Sequence, residues 1–201
     1  MPKHLFLEGP VQTGKSTLLR KYLIPYKDLL GGFCSQRLLD DKKEAVAYRI
    51  TGPEDLDVEI PYSPGLPHVF AVKKSIGSEK NMDVFRDYGV SLLDSAAEKP
   101  LILLDEIGGS ELLVPEFRAR LYEILSGNSP CLGVIKLNEK ARSMSREADY
   151  PGIVADYNAM LRKDLAESFE AEIIACGSDT GQHIAEFLSH IGLPSDREQN
   201  I

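Results

Sequence analysis

Gly9-Pro10-Val11-Gln12-Thr13-Gly14-Lys15-Ser16 is the stretch whose residue types and spacing can do chemistry most directly. It fits G-x-x-x-x-G-K-[ST], a pattern that cradles phosphate when a strand precedes it and a helix follows. The glycines allow backbone angles and close approaches that a Cβ blocks. Inward-pointing N–H groups over residues 9–17, Thr17 included, then surround phosphate oxygens, helped by the positive end of the following helix. Lys15 brings a point charge for the β- and γ-phosphates, which makes it a binding and a catalytic candidate. The Ser16 hydroxyl is suited to ligate Mg²⁺.

A second constellation is Asp105-Glu106, which closes the apolar run Leu101-Ile102-Leu103-Leu104. Ligands of open α/β sheets bind beyond the carboxyl ends of the strands, where the 9–16 loop also lies. Asp105 is therefore the acidic partner of Ser16 in a metal shell. Glu106 is positioned to orient or deprotonate an attacking water. Together the two stretches supply phosphate binding, metal ligation and a base.

These groups need a scaffold, and the pattern of apolar residues predicts one. Leu5-Phe6-Leu7 reads as a strand ahead of the loop, and a helix runs from Lys15 to Ile24, where Pro25 disfavours continuation. Residues 33–39 and 45–50 form a hairpin across Asp40-Asp41-Lys42-Lys43, residues 51–69 are loop, and 68–72 is a strand. Met82, Phe85, Tyr88, Leu92 and Leu93 recur at helical spacing over 82–97. The run 101–104 has the continuous apolar character of a strand buried on both faces. A helix over 115–126, a strand over 131–137, two polar helices within 138–168 split at Tyr150-Pro151-Gly152, a strand over 173–176 and a helix over 180–191 complete the chain. Strands alternating with helices mean an α/β fold with a mainly parallel central sheet. The whole chain, 1–201, reads as one domain, with 138–168 a lid or insertion.

Composition narrows the function classes. With 201 residues, 43% hydrophobic and 27% charged, the chain suits a soluble domain with a sizeable core. A net charge of −8 leaves no basic excess for nucleic acid, although one nucleotide needs only a local positive pocket. No apolar run reaches transmembrane length, and strand and loop begin too early to leave room for a signal-peptide core. Cys34, Cys131 and Cys176 are scattered and read as free, mostly buried thiols, so the expected location is the cytoplasm. His4, His68, His183 and His190 are isolated, and no zinc-type spacing occurs. Leu137-Asn138-Glu139-Lys140 is no guanine-reading Asn-Lys-x-Asp, so the base is not specified. Arg37, Arg118, Arg120, Arg142, Arg146 and Arg162 are each available to reach a γ-phosphate, and the sequence does not choose between them.

Residues 9–16, Gly32-Phe33, Ile76-Gly77, Phe85, Asp105-Glu106-Ile107-Gly108, Glu111-Leu112 and Phe117-Arg118 together resemble the cancer-related nucleoside-triphosphatase family over roughly residues 4–126. That resemblance implies a three-layer RecA/ASCE-like phosphate-loop fold and Mg²⁺-dependent hydrolysis of NTPs to NDPs. It carries phosphate binding onto residues 9–17, the metal role onto Ser16 and Asp105, and water activation onto Glu106. The chain departs from the family's pattern at four places, one of them residues 138–168, which are longer than the family's connection. Ser35-Gln36-Arg37-Leu38-Leu39 replaces acidic residues and an arginine, Gly109-Ser110 replaces Lys-Met, and Gly177-Ser178-Asp179-Thr180-Gly181 stands where Asn-Arg-Asp is usual. The expected function is a Mg²⁺-dependent nucleoside-triphosphatase acting on ATP- or GTP-type nucleotides, with no nucleic-acid or membrane partner. A phosphotransferase with 138–168 as its lid, and a nucleotide-switched binding module, are the alternatives.

Overall fold

The run Leu101-Ile102-Leu103-Leu104 sits in the middle of an eight-stranded sheet, and its side chains alternate between two cores. Leu101 and Leu103 join one apolar cluster, and Ile102 and Leu104 join the other. This is the period-two alternation of a strand covered on both faces. The computed structural model describes residues 1–10, 13–146 and 152–193.

The strands are β1 (His4–Glu8), β2 (Leu30–Leu39), β3 (Ala45–Thr51), β4 (Val69–Lys73), β5 (Ser78–Lys80), β6 (Leu101–Ile107), β7 (Cys131–Ile135) and β8 (Ala171–Ala175). Their order in the sheet is β5-β4-β3-β2-β6-β7-β1-β8. Strands β2, β6, β7, β1 and β8 pair in parallel. Strands β3, β4 and β5 extend the sheet antiparallel from β2. Strand β7 thus stands between β1 and β6, and the carboxyl ends of all three face one edge.

The helices are α1 (Lys15–Leu23), α2 (Val90–Ala96), α3 (Pro115–Ser126), α4 (Asn138–Arg146), α5 (Ile153–Glu167) and α6 (Thr180–His190). Leu19 and Leu23 of α1 pack with Ile184, Phe187 and Leu188 of α6 over one face. Leu93 of α2, Phe117 and Leu121 of α3, and Leu161 and Leu165 of α5 cover the other. An aromatic chain, Phe33–Phe117–Phe85, ties that second core together with centroid spacings of 5.7 and 5.3 Å.

Several elements differ from the sequence expectation, each for a physical reason. After Leu23 the chain tightens into a 3₁₀ turn, Ile24–Leu29, with Pro25 in its first turn, so Pro25 redirects the helix instead of stopping the winding. Strand β2 begins at Leu30, before the Gly31-Gly32 pair. A Cβ on Gly31 would stand 2.6 Å from the Ala96 Cα, so glycine here is what lets α2 lie close on the strand. The helix over 82–97 opens with a π-helical turn, Phe85–Gly89, before α2. The 51–69 loop holds a short 3₁₀ turn, Pro53–Asp55, and an isolated bridge from Leu39 to Pro61. The predicted strand over 173–176 is displaced to Ala171–Ala175. The second of the two helices expected to be polar is α5, and it buries Val154, Asn158, Leu161 and Leu165. Tyr150 and Pro151 of the predicted breaker lie outside the described residues, while Gly152 caps α5. None of the helices described is long and apolar enough to cross a membrane.

Candidate functional site

The loop after β1 enters α1 through Gly14, whose φ of +81° is left-handed and places it as the N-cap. No acidic residue of α1 itself occupies its first turn. The Lys15 ammonium curls back over the loop, donating to the Gly9 carbonyl at 2.8 Å, the Pro10 carbonyl at 2.6 Å and Thr13 Oγ1 at 3.3 Å. Thr13 in turn donates to the Pro10 carbonyl at 2.9 Å. Thr17 is exposed on the first turn. Val11 and Gln12 lie outside the described residues.

Ser16 points across the site. Its hydroxyl donates to Asp105 Oδ1 at 2.8 Å, although β7 separates β1, which leads into the loop and α1, from β6, which carries Asp105. Asp105 is 2% exposed. Burial pushes its carboxyl up to about 6, against the Ser16 hydrogen bond. The Ser35 hydroxyl on β2 donates to the Asp105 main-chain carbonyl at 3.2 Å. Two oxygen donors, a hydroxyl and a buried carboxylate, suit a hard cation that keeps waters and phosphate oxygens as its remaining ligands. No group of three or more His, Cys, Asp or Glu is placed to hold a metal ion among the described residues.

Glu106 departs from the expectation. Asp105 and Glu106 do not close the strand, because β6 runs on to Ile107. The register slips between Asp105, opposite Val134, and Ile107, opposite Ile135. Glu106 is the residue left over, a bulge with φ +78°. A non-glycine residue in this region is strained, and such strain concentrates at functional positions. The Glu106 side chain is 42% exposed, and the Lys136 ammonium lies 3.5 Å from Oε2. Lys136 is the main influence holding the Glu106 carboxyl below its ordinary range, with smaller help from Lys15 and Lys140. Burial alone would lower Lys136, but Glu106 and Glu111 outweigh it and hold the ammonium above its usual value.

Lys15, Ser16, Asp105 and Glu106 thus gather at one edge of the sheet. Of the candidate arginines, Arg162 pairs with Glu8, the residue before Gly9. Arg118 lies over the Tyr157 ring at 4.1 Å and donates to the Leu112 carbonyl. Arg120 pairs with Asp94 and Glu123. Arg37 and Arg142 are exposed, and the Arg146 side chain lies outside the described residues. Cys34 and Cys131 are buried free thiols, and Cys176 is partly buried. Burial pushes Cys34 up to about 12.

Two site residues were not singled out from sequence. Arg20 lies on the face of α1 that carries Ser16, donates to the Ser35 carbonyl at 3.3 Å, and keeps a buried Nε without a hydrogen-bond partner. Its spacing of one helical turn from Ser16 was the available signal. Lys136 follows the apolar strand β7 just as Asp105-Glu106 follow an apolar run, so the same carboxyl-end rule points to it.

An α/β sheet whose first strand feeds a G-x-x-x-x-G-K-S loop into a helix, beside an acidic pair on a buried strand, defines a nucleotide-binding class of protein. A family model described as NTPase matches residues 4–154, more than half of the chain, and the chain belongs to that family. It is 30% identical over 146 residues to Nucleoside-triphosphatase THEP1 of Ignicoccus hospitalis, covering 71% of this chain and 82% of that protein. To the protein of the same name from Thermotoga maritima it is 30% identical over 139 residues, covering 66% and 73%. Among solved structures, THEP1 from Aquifex aeolicus shares the fold with a TM-score of 0.61 at 18% identity, over 92% of this chain and 98% of that one. A human cancer-related nucleoside triphosphatase does so with a TM-score of 0.57 at 17% identity, over 94% and 96%.

Proposed function

We propose that the chain is a Mg²⁺-dependent nucleoside-triphosphatase that hydrolyses ATP- or GTP-type nucleotides to the diphosphate. The observation that carries this reading is the Ser16–Asp105 hydrogen bond of 2.8 Å, which joins the phosphate loop to the acidic strand with Glu106 next in sequence. Membership of the NTPase family and the names of the THEP1 relatives support it. The apolar clusters on the two sheet faces support the three-layer, RecA/ASCE-like arrangement that belongs to the same reading. The buried free thiols accord with a reducing cytoplasm.

In this mechanism the loop N–H groups and the end of α1 hold the phosphate chain. Lys15 exchanges its bonds to the Gly9 and Pro10 carbonyls for β- and γ-phosphate oxygens. Ser16 and Asp105 would hold Mg²⁺, which when bound would supply positive charge against the charge developing on the phosphates. Glu106 orients a water and accepts its proton. The water oxygen bonds to the γ-phosphorus, the bond to the β,γ-bridging oxygen breaks, and the nucleoside diphosphate and inorganic phosphate leave.

The test is phosphate release from a nucleotide panel with water as the sole acceptor, in Mg²⁺ and again in EDTA. Release that requires Mg²⁺ and no added acceptor is expected. Turnover that appears only with a particular acceptor would assign the site to phosphoryl transfer.

A further inference from the structure

Glu106 occupies a left-handed bulge that its own residue type does not favour, so something must hold it there. Lys136 is the group in place to do so. Its ammonium donates to the Glu106 main-chain carbonyl at 3.0 Å and faces Oε2 at 3.5 Å, gripping both the backbone and the carboxylate of one residue. Its side chain is only 12% exposed.

Lys136 is itself fixed. Its N–H donates to the Ile107 carbonyl at 2.9 Å, just past the bulge. Its carbonyl accepts from Asn158 Nδ2 and Arg162 Nη1, each at 3.3 Å. Asn158 is fully buried and also donates to the Gly108 carbonyl at 2.8 Å, bracing the chain beyond β6. Arg162 carries the connection to Glu8 at the end of β1. A continuous polar path therefore runs from the residue before the phosphate loop, through α5 and β7, to Glu106.

We propose that Lys136 is a positioning residue, which holds Glu106 in the bulge and aims its carboxylate at the attacking water. This rests on the reading of Glu106 as the base. Lys136 acts through Glu106, and its effect falls on the chemical step and not on nucleotide affinity.

The experiment compares steady-state hydrolysis and binding of a non-hydrolysable NTP analogue in wild type, Lys136→Met, Lys136→Arg, Glu106→Gln and the Met/Gln double variant. Lys136→Met should lower kcat by about 10²-fold, the scale of a displaced catalytic group, with analogue Kd within about threefold of wild type. Lys136→Arg, which keeps the cation, should recover at least about a tenth of the wild-type kcat. In the Glu106→Gln background the Met substitution should change kcat by less than about threefold, because the group it acts through is already gone. An equal loss in both backgrounds would overturn the proposal and put Lys136 on the phosphate itself. So would an unchanged kcat in Lys136→Met. If the Met variant does not fold, Lys136→Gln takes its place with the same expectation. If Glu106→Gln hydrolyses at the wild-type rate, the base assignment has failed. A crystal structure of Lys136→Met then decides positioning separately: Glu106 leaves positive φ if the inference holds and keeps it if not.

Discussion

Lowering the pH should weaken the fold through His4, the residue that opens the strand leading to the phosphate loop. The His4 ring is fully buried. Its Nδ1 accepts the Cys131 N–H at 2.9 Å, so Nε2 carries the proton donated to the Leu125 carbonyl at 3.0 Å. Both ring nitrogens are satisfied only in the neutral form, and burial lowers the pKa from 6.5 to about 4. The unfolded chain therefore takes up a proton at a pH where the folded chain does not. Stability from this source is complete above the unfolded value of 6.5 and is lost as pH falls towards about 4. Between pH 7.5 and pH 5 the loss comes to about 2 kcal/mol, approaching roughly 3 kcal/mol below pH 4. Urea unfolding of wild type and His4→Gln at pH 7.5, 6.0 and 5.0 isolates the effect, because contributions common to both proteins cancel. The stability gap between them should narrow by about 2 kcal/mol from pH 7.5 to pH 5. A gap that stays constant with pH would refute the assignment of a neutral, doubly bonded His4.

Two further outcomes follow from particular contacts. Gly31→Ala should cost about 2 kcal/mol, or roughly 6 °C in Tm for a chain of this length, because its Cβ would meet the Ala96 backbone; an unchanged Tm by calorimetry would contradict that close approach. Ser16→Ala removes the hydroxyl that bonds Asp105 and should raise the Mg²⁺ concentration needed for half-maximal phosphate release by about tenfold or more; an unaltered Mg²⁺ titration would remove Ser16 from the metal shell.

Elements that stand on apolar periodicity were legible before the structure. Strand β6 announced itself as Leu101-Ile102-Leu103-Leu104, and α3 follows its predicted bounds because Pro115 starts it and one face carries Phe117, Leu121, Ile124 and Leu125. Strand β5 was not legible. It is the three residues Ser78-Glu79-Lys80 at a sheet edge, where short, charged strands carry no hydrophobic pattern. The place of α5 was hidden as well, since charged residues outnumber the four that it buries. At the site, the Ser16–Asp105 meeting followed from the shared carboxyl edge of a parallel sheet. The bulge at Glu106 did not, because a one-residue register slip leaves no mark in residue type. Lys136 and Arg20 escaped notice because a lysine or arginine reads by default as a solvated charge. Only the packing shows one enclosed beside Glu106 and the other facing Ser35.

Phosphate release and nucleotide binding by Glu106→Gln, measured beside wild type in Mg²⁺, decide whether Glu106 activates the attacking water. Hydrolysis should fall by about 10²-fold or more with binding of an NTP analogue preserved, since Glu106 serves the water and not the phosphates. A Glu106→Gln protein that hydrolyses as fast as wild type would contradict that role.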